Sequence, residues 1–226
     1  MNEAGGPLGI FGGTFDPLHI GHLRLAIEAR EALGLAEVCF MPAGRPALRD
    51  APRADPAQRL AMVECALAAL PACRVDDFEV IAAGNHPALT YTVDSLRHLR
   101  ATQGAAQPLV LLLGADAFSR LEAWHRWRDL FELAHIGVAT RPGHDPRVGA
   151  GDTALDAEFR SRRGCAADLA AAPAGRIVSF AITALEISAS AIRERLATGL
   201  DVRHLVPDSV LDYIESHQLY RTPHGH

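Results

Sequence analysis

The segment FGGTFDPLHIGH, residues 11–22, places two glycines, a threonine and two histidines within twelve residues. Gly12-Gly13 end a short apolar run, and Asp16-Pro17 then offers a helix N-cap followed by a proline suited to the first helical position. A helix that begins there presents His19 and His22, three residues apart, on one face of its first two turns. Helix-start N–H groups and imidazole N–H groups are donors for an anion such as phosphate.

Two other interpretations of this segment stay open on local evidence. A Gly-Gly pair can be only a turn, and histidines in a helix can be structural. Two histidines at this spacing can also bind a metal, although no third histidine stands nearby to complete a site. The segment is not a dinucleotide-binding fingerprint, because Gly9, Gly12 and Gly13 do not fit the G-x-G-x-x-G spacing.

A second candidate anion site lies in ISASAIRERL, residues 187–196. Ser188 or Ser190 is suited to cap a short helix that carries Arg193 in its opening turns. Alone this pattern is weak, since such an arginine is often only a solvated surface residue. Together, the two segments predict a polyphosphate held between two helix starts.

Composition excludes several classes of function. The chain has 226 residues, a formal charge of −5 and no lysine, which rules out a Walker A phosphate loop and argues against a nucleic-acid partner. It has neither an apolar run long enough for a membrane span nor a secretory signal, so we expect a cytoplasmic location. Four cysteines without C-x-x-C spacing indicate buried free thiols rather than disulfides or a zinc knuckle.

Short apolar runs alternate with helical periodicity along the chain, which predicts a single Rossmann-like parallel sheet with helices on both faces. We expect one domain over residues 1–226, with a surface loop at 43–57, a poorly patterned insertion at about 145–176 and a frayed tail at 221–226. The predicted strands cover residues 8–11, 38–41, 74–78, 109–113, 136–140 and 177–180. Ligands of such sheets bind at the carboxyl ends of strands, where Gly12, Gly114 and Arg141 fall.

The segments GGTFDPLHIGH and ISASAIRERL, joined by LLLGADAF and EAWHRWRDL in that order, resemble the nucleotidyltransferases that carry an H-x-G-H motif. Within that superfamily the chain is most similar to the bacterial nicotinate-mononucleotide adenylyltransferases. The resemblance runs from about Leu8 to Tyr220 and is weakest over residues 145–176. It implies the nucleotidyltransferase α/β phosphodiesterase type of fold.

The resemblance also implies a reaction. ATP and nicotinate mononucleotide would give nicotinate adenine dinucleotide and pyrophosphate, with Mg²⁺ bound through the ATP phosphates, in NAD biosynthesis. His19, His22 and Arg193 are then the catalytic residues that contact the ATP phosphates. The remaining residues implied for ATP binding are Gly12, Gly13, Thr14, Phe15, Asp116, Ile187 and Ser188.

For the acceptor, the resemblance implies that the helix start at Thr92 receives the nicotinate carboxylate and that Trp124 stacks on the pyridine ring. From the sequence alone, Asp116 could equally be a helix N-cap, and Trp124 and Trp127 could be core residues. Arg49 and Arg141 complete the expected acceptor contacts, on the mononucleotide phosphate in the case of Arg49.

Three positions depart from the family pattern on the acceptor side: Leu48 replaces a histidine, Thr90 a serine and His125 a tyrosine. Adenylyl transfer to another phosphate acceptor, nicotinamide mononucleotide or phosphopantetheine, therefore stays open as an alternative. So do two other classes, a nucleotide-binding regulator without turnover and a zinc hydrolase that uses the two histidines. We expect no membrane partner, and the sequence is compatible with a homo-oligomer.

Overall fold

The structure is a computed structural model, and it describes residues 6–46, 51–85, 89–140 and 152–221. Arg49 and Arg141, both predicted acceptor contacts, and Leu48, one of the departures, lie outside the described residues. So do most of the predicted tail and the first part of the predicted insertion.

Six strands form one parallel sheet in the order β3-β2-β1-β4-β5-β6, which confirms the predicted Rossmann-like α/β class. The order reverses between β1 and β4, which pair in parallel with Leu8 opposite Leu109 and Ile10 opposite Leu111. Ligands of such sheets bind at this reversal, outside the carboxyl ends of the strands. The strands are β1 (Leu8–Gly13), β2 (Glu37–Pro42), β3 (Cys73–Val75), β4 (Leu109–Gly114), β5 (His135–Thr140) and β6 (Ile177–Ala181).

Helices connect these strands. Most follow the predicted apolar periodicity to within a few residues, as in the segments beginning at Pro56 and Thr92. In chain order the helices are α1 (Ile20–Leu33), α2 (Pro56–Leu67), α3 (Phe78–Asn85), α4 (Thr92–Gln103), α5 (Ala115–Phe118), α6 (Leu130–Leu133), α7 (Ala154–Arg162), α8 (Ala189–Ala197) and α9 (Asp208–Ser216).

The chain divides into two compact units, each assembled from three stretches. Unit 1 takes in Met1–Gly12, Leu25–Cys39 and Tyr91–Ala184, and unit 2 takes in Gly13–Arg24, Phe40–Thr90 and Leu185–His226. The single domain over residues 1–226 stays a prediction. Unit 2 holds the two histidines and Arg193, and unit 1 holds Asp116, Thr92 and Trp124.

The structure corrects two local predictions and shows a helix within the insertion. The strand expected over residues 74–78 ends at Val75, because the Asp76 carboxylate accepts a hydrogen bond from the Phe78 N–H (3.0 Å) and starts α3 instead. The insertion contains α7, which Thr153 and Asp156 open with reciprocal capping hydrogen bonds. Of the four free thiols, only that of Cys39 is buried.

None of the helices in the described ranges combines the length and the apolar character needed to cross a bilayer.

His135, the first residue of β5, is fully buried in unit 1 and pairs both ring nitrogens. Its Nδ1 accepts from the Arg176 N–H (3.0 Å), so Nε2 carries the proton that is donated to the Ala172 carbonyl (2.8 Å). Burial lowers the pKa of His135 below its usual value of 6.5. The imidazole is therefore neutral in the folded protein at pH 7.

We expect the free energy of unfolding to fall as the pH drops below about 6.5, because the unfolded chain then binds a proton that folded His135 resists. This contribution is complete above pH 6.5 and is lost as the pH falls toward the lowered pKa. Urea unfolding at a series of pH values from about 7.5 downward through about 6.5 measures it. In His135→Asn the dependence of the free energy of unfolding on pH should be weaker than in wild type. Equal slopes in wild type and His135→Asn would contradict the assignment.

Candidate active site

Helix α1 begins at Ile20, later than predicted, and the bond between Asp16 and Pro17 is cis. The prediction that Asp16 caps this helix is wrong, because its carboxylate accepts instead from the backbone N–H groups of Arg53 (2.9 Å) and Ala54 (3.1 Å). His22 still lies in the first turn of α1, and His19 stands just before it.

The two histidines of the motif form a stacked pair in unit 2. Their ring centroids lie 3.6 Å apart at an interplanar angle of 20°, and the Phe15 ring meets that of His22 edge-on at 5.1 Å. The Nδ1 of His22 accepts a hydrogen bond from the His19 backbone N–H (3.2 Å). In the neutral imidazole of His22 the proton is therefore on Nε2, which makes that nitrogen a hydrogen-bond donor.

His19 is only 6% exposed, and its Nδ1 is one of two buried side-chain nitrogens in the described ranges without a hydrogen-bond partner. Burial lowers its pKa to about 4, so the imidazole is neutral at pH 7. An unpaired buried polar group costs about 1–3 kcal/mol of stability. Such groups are typical of a binding site, where the ligand supplies the missing hydrogen-bond partner.

The glycine between the histidines has a steric reason. A Cβ atom on Gly21 would lie 3.1 Å from Nδ1 and 3.2 Å from Cε1 of His19, closer than ordinary van der Waals contact. Gly13 is constrained in a similar way, because a Cβ there would lie 2.8 Å from the Phe15 ring. Phe15 has φ 49°, a left-handed conformation that a non-glycine residue adopts only when its surroundings impose it.

Arg193 belongs to the same unit. Ser188 caps α8 by accepting a hydrogen bond from the Ala191 N–H (3.2 Å). Of the two predicted caps, Ser188 is therefore the one that the structure shows. Arg193 lies in the second turn of this helix. The Arg193 guanidinium donates through Nη1 to the Asp16 carbonyl (2.6 Å) and lies 3.6 Å from the Asp16 carboxylate. Its Nε is the second buried nitrogen without a partner in the parts of the chain that the structure describes.

The remaining residues predicted for ATP binding divide between the units. In unit 2, Thr14 is half-buried, and the Cβ of Ile187 lies 3.9 Å from the point that a Cβ on Gly21 would occupy. In unit 1, Gly12 is exposed at the end of β1. Asp116, also in unit 1, is an exposed residue in the first turn of α5, whose N-cap is Gly114, so the alternative that Asp116 is an N-cap is wrong.

Sequence reasoning missed Arg59, which is fully buried in unit 2. Its guanidinium donates to three backbone carbonyls, those of Thr14 (2.8 Å), Gly44 (3.0 Å) and Ala54 (3.3 Å). Burial lowers its pKa, and the nearby carboxylate of Asp16 opposes that shift. One cation thus joins the loop after β1, the loop after β2 and the start of α2, and no local sequence pattern signals this role.

Gly44 is fixed from several directions. The Glu79 carboxylate accepts from its N–H (3.3 Å), while Arg59 donates to its carbonyl. The same carboxylate oxygen accepts from the Thr90 hydroxyl (2.8 Å), a bond that the serine usual at this position could also make. The Thr90 departure therefore keeps the hydroxyl that this contact needs.

The predicted acceptor residues Thr92 and Trp124 both lie in unit 1. Thr92 is the first residue of α4, and its N-cap residue, Tyr91, makes no capping hydrogen bond through its side chain. The Tyr91 and His125 rings meet with centroids 4.4 Å apart, so the start of α4 lies beside the segment that carries Trp124. Trp127 is buried as a core residue, whereas Trp124 is half-buried.

Metal ligation was one of the alternatives left open for the two histidines. Across the parts of the chain that the structure describes, no three His, Cys, Asp or Glu side chains cluster closely enough to hold a metal ion.

Comparison with known proteins yields one family and several near relatives. Residues 10–195 match the cytidylyltransferase-like family. The chain is 51% identical over 216 residues to "Probable nicotinate-nucleotide adenylyltransferase" of Dechloromonas aromatica, with 95% of this chain and 98% of that protein covered. It is 46% identical over 215 residues to the protein of the same name from Cellvibrio japonicus, with 95% and 98% covered.

Among solved structures, the fold is similar to Plasmodium falciparum nicotinic acid mononucleotide adenylyltransferase complexed with NaAD. The TM-score is 0.69 at 16% identity, and 95% of this chain and 97% of that chain are covered. At this identity the likeness concerns the fold alone.

Replacing Gly44 by alanine should lower the free energy of unfolding by about 1–3 kcal/mol, the usual range for overpacking. The new Cβ would lie 2.1 Å from the Glu79 carbonyl oxygen, so the backbone has to move. The matched control is Gly84→Ala on α3, where none of the described atoms lies within 4 Å of the added Cβ and the helix should gain up to about 1 kcal/mol. Urea unfolding compares the two, and equal stabilities would contradict the packing described for Gly44.

Proposed function

Because the chain belongs to the cytidylyltransferase-like family and, within it, to the nicotinate-nucleotide adenylyltransferases, we propose that it transfers the adenylyl group of ATP to nicotinate mononucleotide. The products are nicotinate adenine dinucleotide and pyrophosphate, and the reaction is a step of NAD biosynthesis. The observation that carries the proposal is the pair of unpaired buried nitrogens, His19 Nδ1 and Arg193 Nε, which lie within the described part of unit 2 together with the H-x-G-H motif.

Unit 2 supplies the groups for the ATP phosphates. Nε2 of His22 donates a hydrogen bond, neutral His19 lies directly beside it, and Arg193 carries a fixed positive charge. Growing charge on phosphate oxygens is stabilised by such donors when they are held in position before the reaction. Asp16 and the stacked rings hold these groups.

The reaction needs no covalent intermediate on the protein. A phosphate oxygen of the mononucleotide attacks the α-phosphorus of ATP in line, the new P–O bond forms, and the bond to the β-phosphate breaks to release pyrophosphate. A phosphate monoester has its second pKa near about 6 and is largely dianionic at pH 7, so no general base is required. Catalysis then consists of aligning the two phosphates and stabilising the transition-state charge.

We propose that Mg²⁺ enters with ATP as part of the substrate. The Asp16 carboxylate, which lies 3.6 Å from Arg193, already accepts three hydrogen bonds and is unsuited as a metal ligand. Mg²⁺ commonly binds through substrate phosphates and water with few protein ligands. When bound, the ion neutralises part of the phosphate charge.

Unit 1 supplies the groups for nicotinate mononucleotide. The start of α4 at Thr92, which the Tyr91 side chain does not cap, offers N–H groups to the nicotinate carboxylate. The half-buried Trp124 offers a flat apolar surface to the pyridine ring. The contact between Tyr91 and His125 supports this assignment, since it brings the two features together. His125 also keeps a ring where the family commonly has tyrosine.

Pyrophosphate release from Mg·ATP tests the proposed function, with nicotinate mononucleotide and nicotinamide mononucleotide as parallel acceptors. We expect strong preference for the acid. His22→Ala should lower turnover about 10²- to 10³-fold, the scale of losing one transition-state donor. Phosphopantetheine is the third acceptor of the assay. Turnover with phosphopantetheine alone would mean that the protein uses this acceptor in place of nicotinate mononucleotide. Turnover of His22→Ala within a few-fold of wild type would overturn the role of His22.

Replacing Trp124 by alanine should raise the KM for nicotinate mononucleotide about tenfold or more and leave the KM for ATP nearly unchanged, because a stacked ring contributes to acceptor binding only. Steady-state kinetics with each substrate varied in turn measures both constants. Trp124→Phe retains an aromatic ring and should recover most of the loss. An equal rise in both KM values would place Trp124 in the packing of unit 1 instead.

A further inference from the structure

Tyr220 lies beyond the last helix of unit 2, yet its side chain reaches the H-x-G-H segment. The residue is 8% exposed, and its hydroxyl donates to Oδ1 of Asp16 at 2.7 Å. The Met62 sulfur lies 4.0 Å from this hydroxyl. Burial, together with the hydrogen bond to Asp16, raises the pKa of Tyr220 above its usual value, so the hydroxyl keeps its proton.

The backbone beyond α9 adopts an unfavourable conformation to place this ring. Gln218 has φ 53° and Tyr220 has φ 64°, both in the left-handed region that non-glycine residues seldom occupy. Such conformations persist where the surrounding contacts impose them. Phenylalanine would bury the same ring equally well, so burial of the ring leaves the hydroxyl unexplained.

The Asp16 carboxylate is saturated by its neighbours. Oδ1 accepts from Tyr220 and from the Ala54 N–H, while Oδ2 accepts from the Arg53 N–H and lies 3.6 Å from Nη1 of Arg193. Asp16 is 4% exposed, so these groups replace the water that a carboxylate requires. Tyr220 supplies the side-chain hydroxyl of this set and shares Oδ1 with the Ala54 N–H.

Asp16 in turn holds Arg193. The same Nη1 that faces the carboxylate donates to the Asp16 carbonyl at 2.6 Å, so Asp16 contacts the guanidinium through both its backbone and its side chain. Both contacts are made by Nη1, so Asp16 holds that end of the guanidinium in place. A rotation of the Asp16 carboxylate would release one of these two contacts.

We propose that Tyr220 is a positioning residue for adenylyl transfer: its hydroxyl fixes the Asp16 carboxylate, and Asp16 fixes the Arg193 guanidinium in the direction from which it contacts the phosphates of ATP. The inference rests on the proposed function for the role of Arg193. It adds a link from the C-terminal segment of the chain to the phosphate-binding groups of unit 2.

A double-mutant cycle tests the proposal. Tyr220→Phe removes only the hydroxyl, and we expect it to lower kcat about tenfold in the wild-type background. In the Arg193→Ala background the same change should alter kcat by less than about twofold, because the group through which Tyr220 acts is gone. Tyr213→Phe on α9, whose ring stacks on His217 at 3.9 Å, is the matched control and should leave kcat unchanged in both backgrounds.

Assays run well below the melting temperature of every variant, which thermal unfolding determines. A loss of equal factor in both backgrounds would mean that Tyr220 acts through general stability, and it would overturn the proposal. The absence of any effect of Tyr220→Phe in the wild-type background would overturn it as well.

A second double-mutant cycle measures the affinity for ATP and does not depend on turnover. Calorimetry with ATP should show weaker binding for Tyr220→Phe in the wild-type background and no further weakening in the Arg193→Ala background. If wild-type protein makes no nicotinate adenine dinucleotide, the proposed function fails, and the ATP-binding cycle still decides the role of Tyr220. Additive effects on the Kd for ATP would overturn that role.

Discussion

The buried carboxylate of Asp16 is the group on which the proposed phosphate-binding segment of unit 2 depends. A carboxylate out of contact with water requires a full set of donors, and Asp16 obtains them from two backbone N–H groups, a tyrosine hydroxyl and Arg193. These donors come from stretches far apart in the sequence, including Ala54 and Tyr220. Satisfying one buried charge thus draws the surrounding loops and the C-terminal segment to one place.

Around this carboxylate lie two kinds of group that we propose for phosphate binding, and their electrostatics differ. The histidine pair is packed closely, and burial keeps His19 neutral at pH 7, so it adds hydrogen-bonding capacity without charge repulsion against its neighbour His22. Arg193 supplies the permanent charge. Gly21 makes the close packing possible because any side chain there would press on the His19 ring. Within the described part of the chain, His19 and Arg193 are the residues that keep a buried side-chain nitrogen without a hydrogen-bond partner.

Unit 1 carries the groups that we propose for the pyridine ring of nicotinate mononucleotide. The start of α4, which the Tyr91 side chain does not cap, and a half-buried tryptophan are brought together by the contact between Tyr91 and His125. The two departures that lie within the described residues, one in each unit, keep a chemical group of the residue usual in the family. His125 retains an aromatic ring, and Thr90 retains a hydroxyl that donates to Glu79.

The sequence by itself determined the alternation of strands and helices, the Rossmann-like class, a serine cap at residue 188 or 190 and the residue types of the H-x-G-H motif. Periodicity and capping are local properties, which is why a sequence shows them. It misplaced the start of α1 and the role of Asp16, since a sequence pattern cannot show that distant N–H groups capture the side chain of an expected cap. Arg59 and Tyr220 carried no local signal at all. Only the tertiary structure decided their roles. Arg59 bonds Gly44 and Thr14, which lie 15 and 45 residues away in the sequence, and Tyr220 bonds Asp16, which lies 204 residues away. Such contacts form only when the chain is folded.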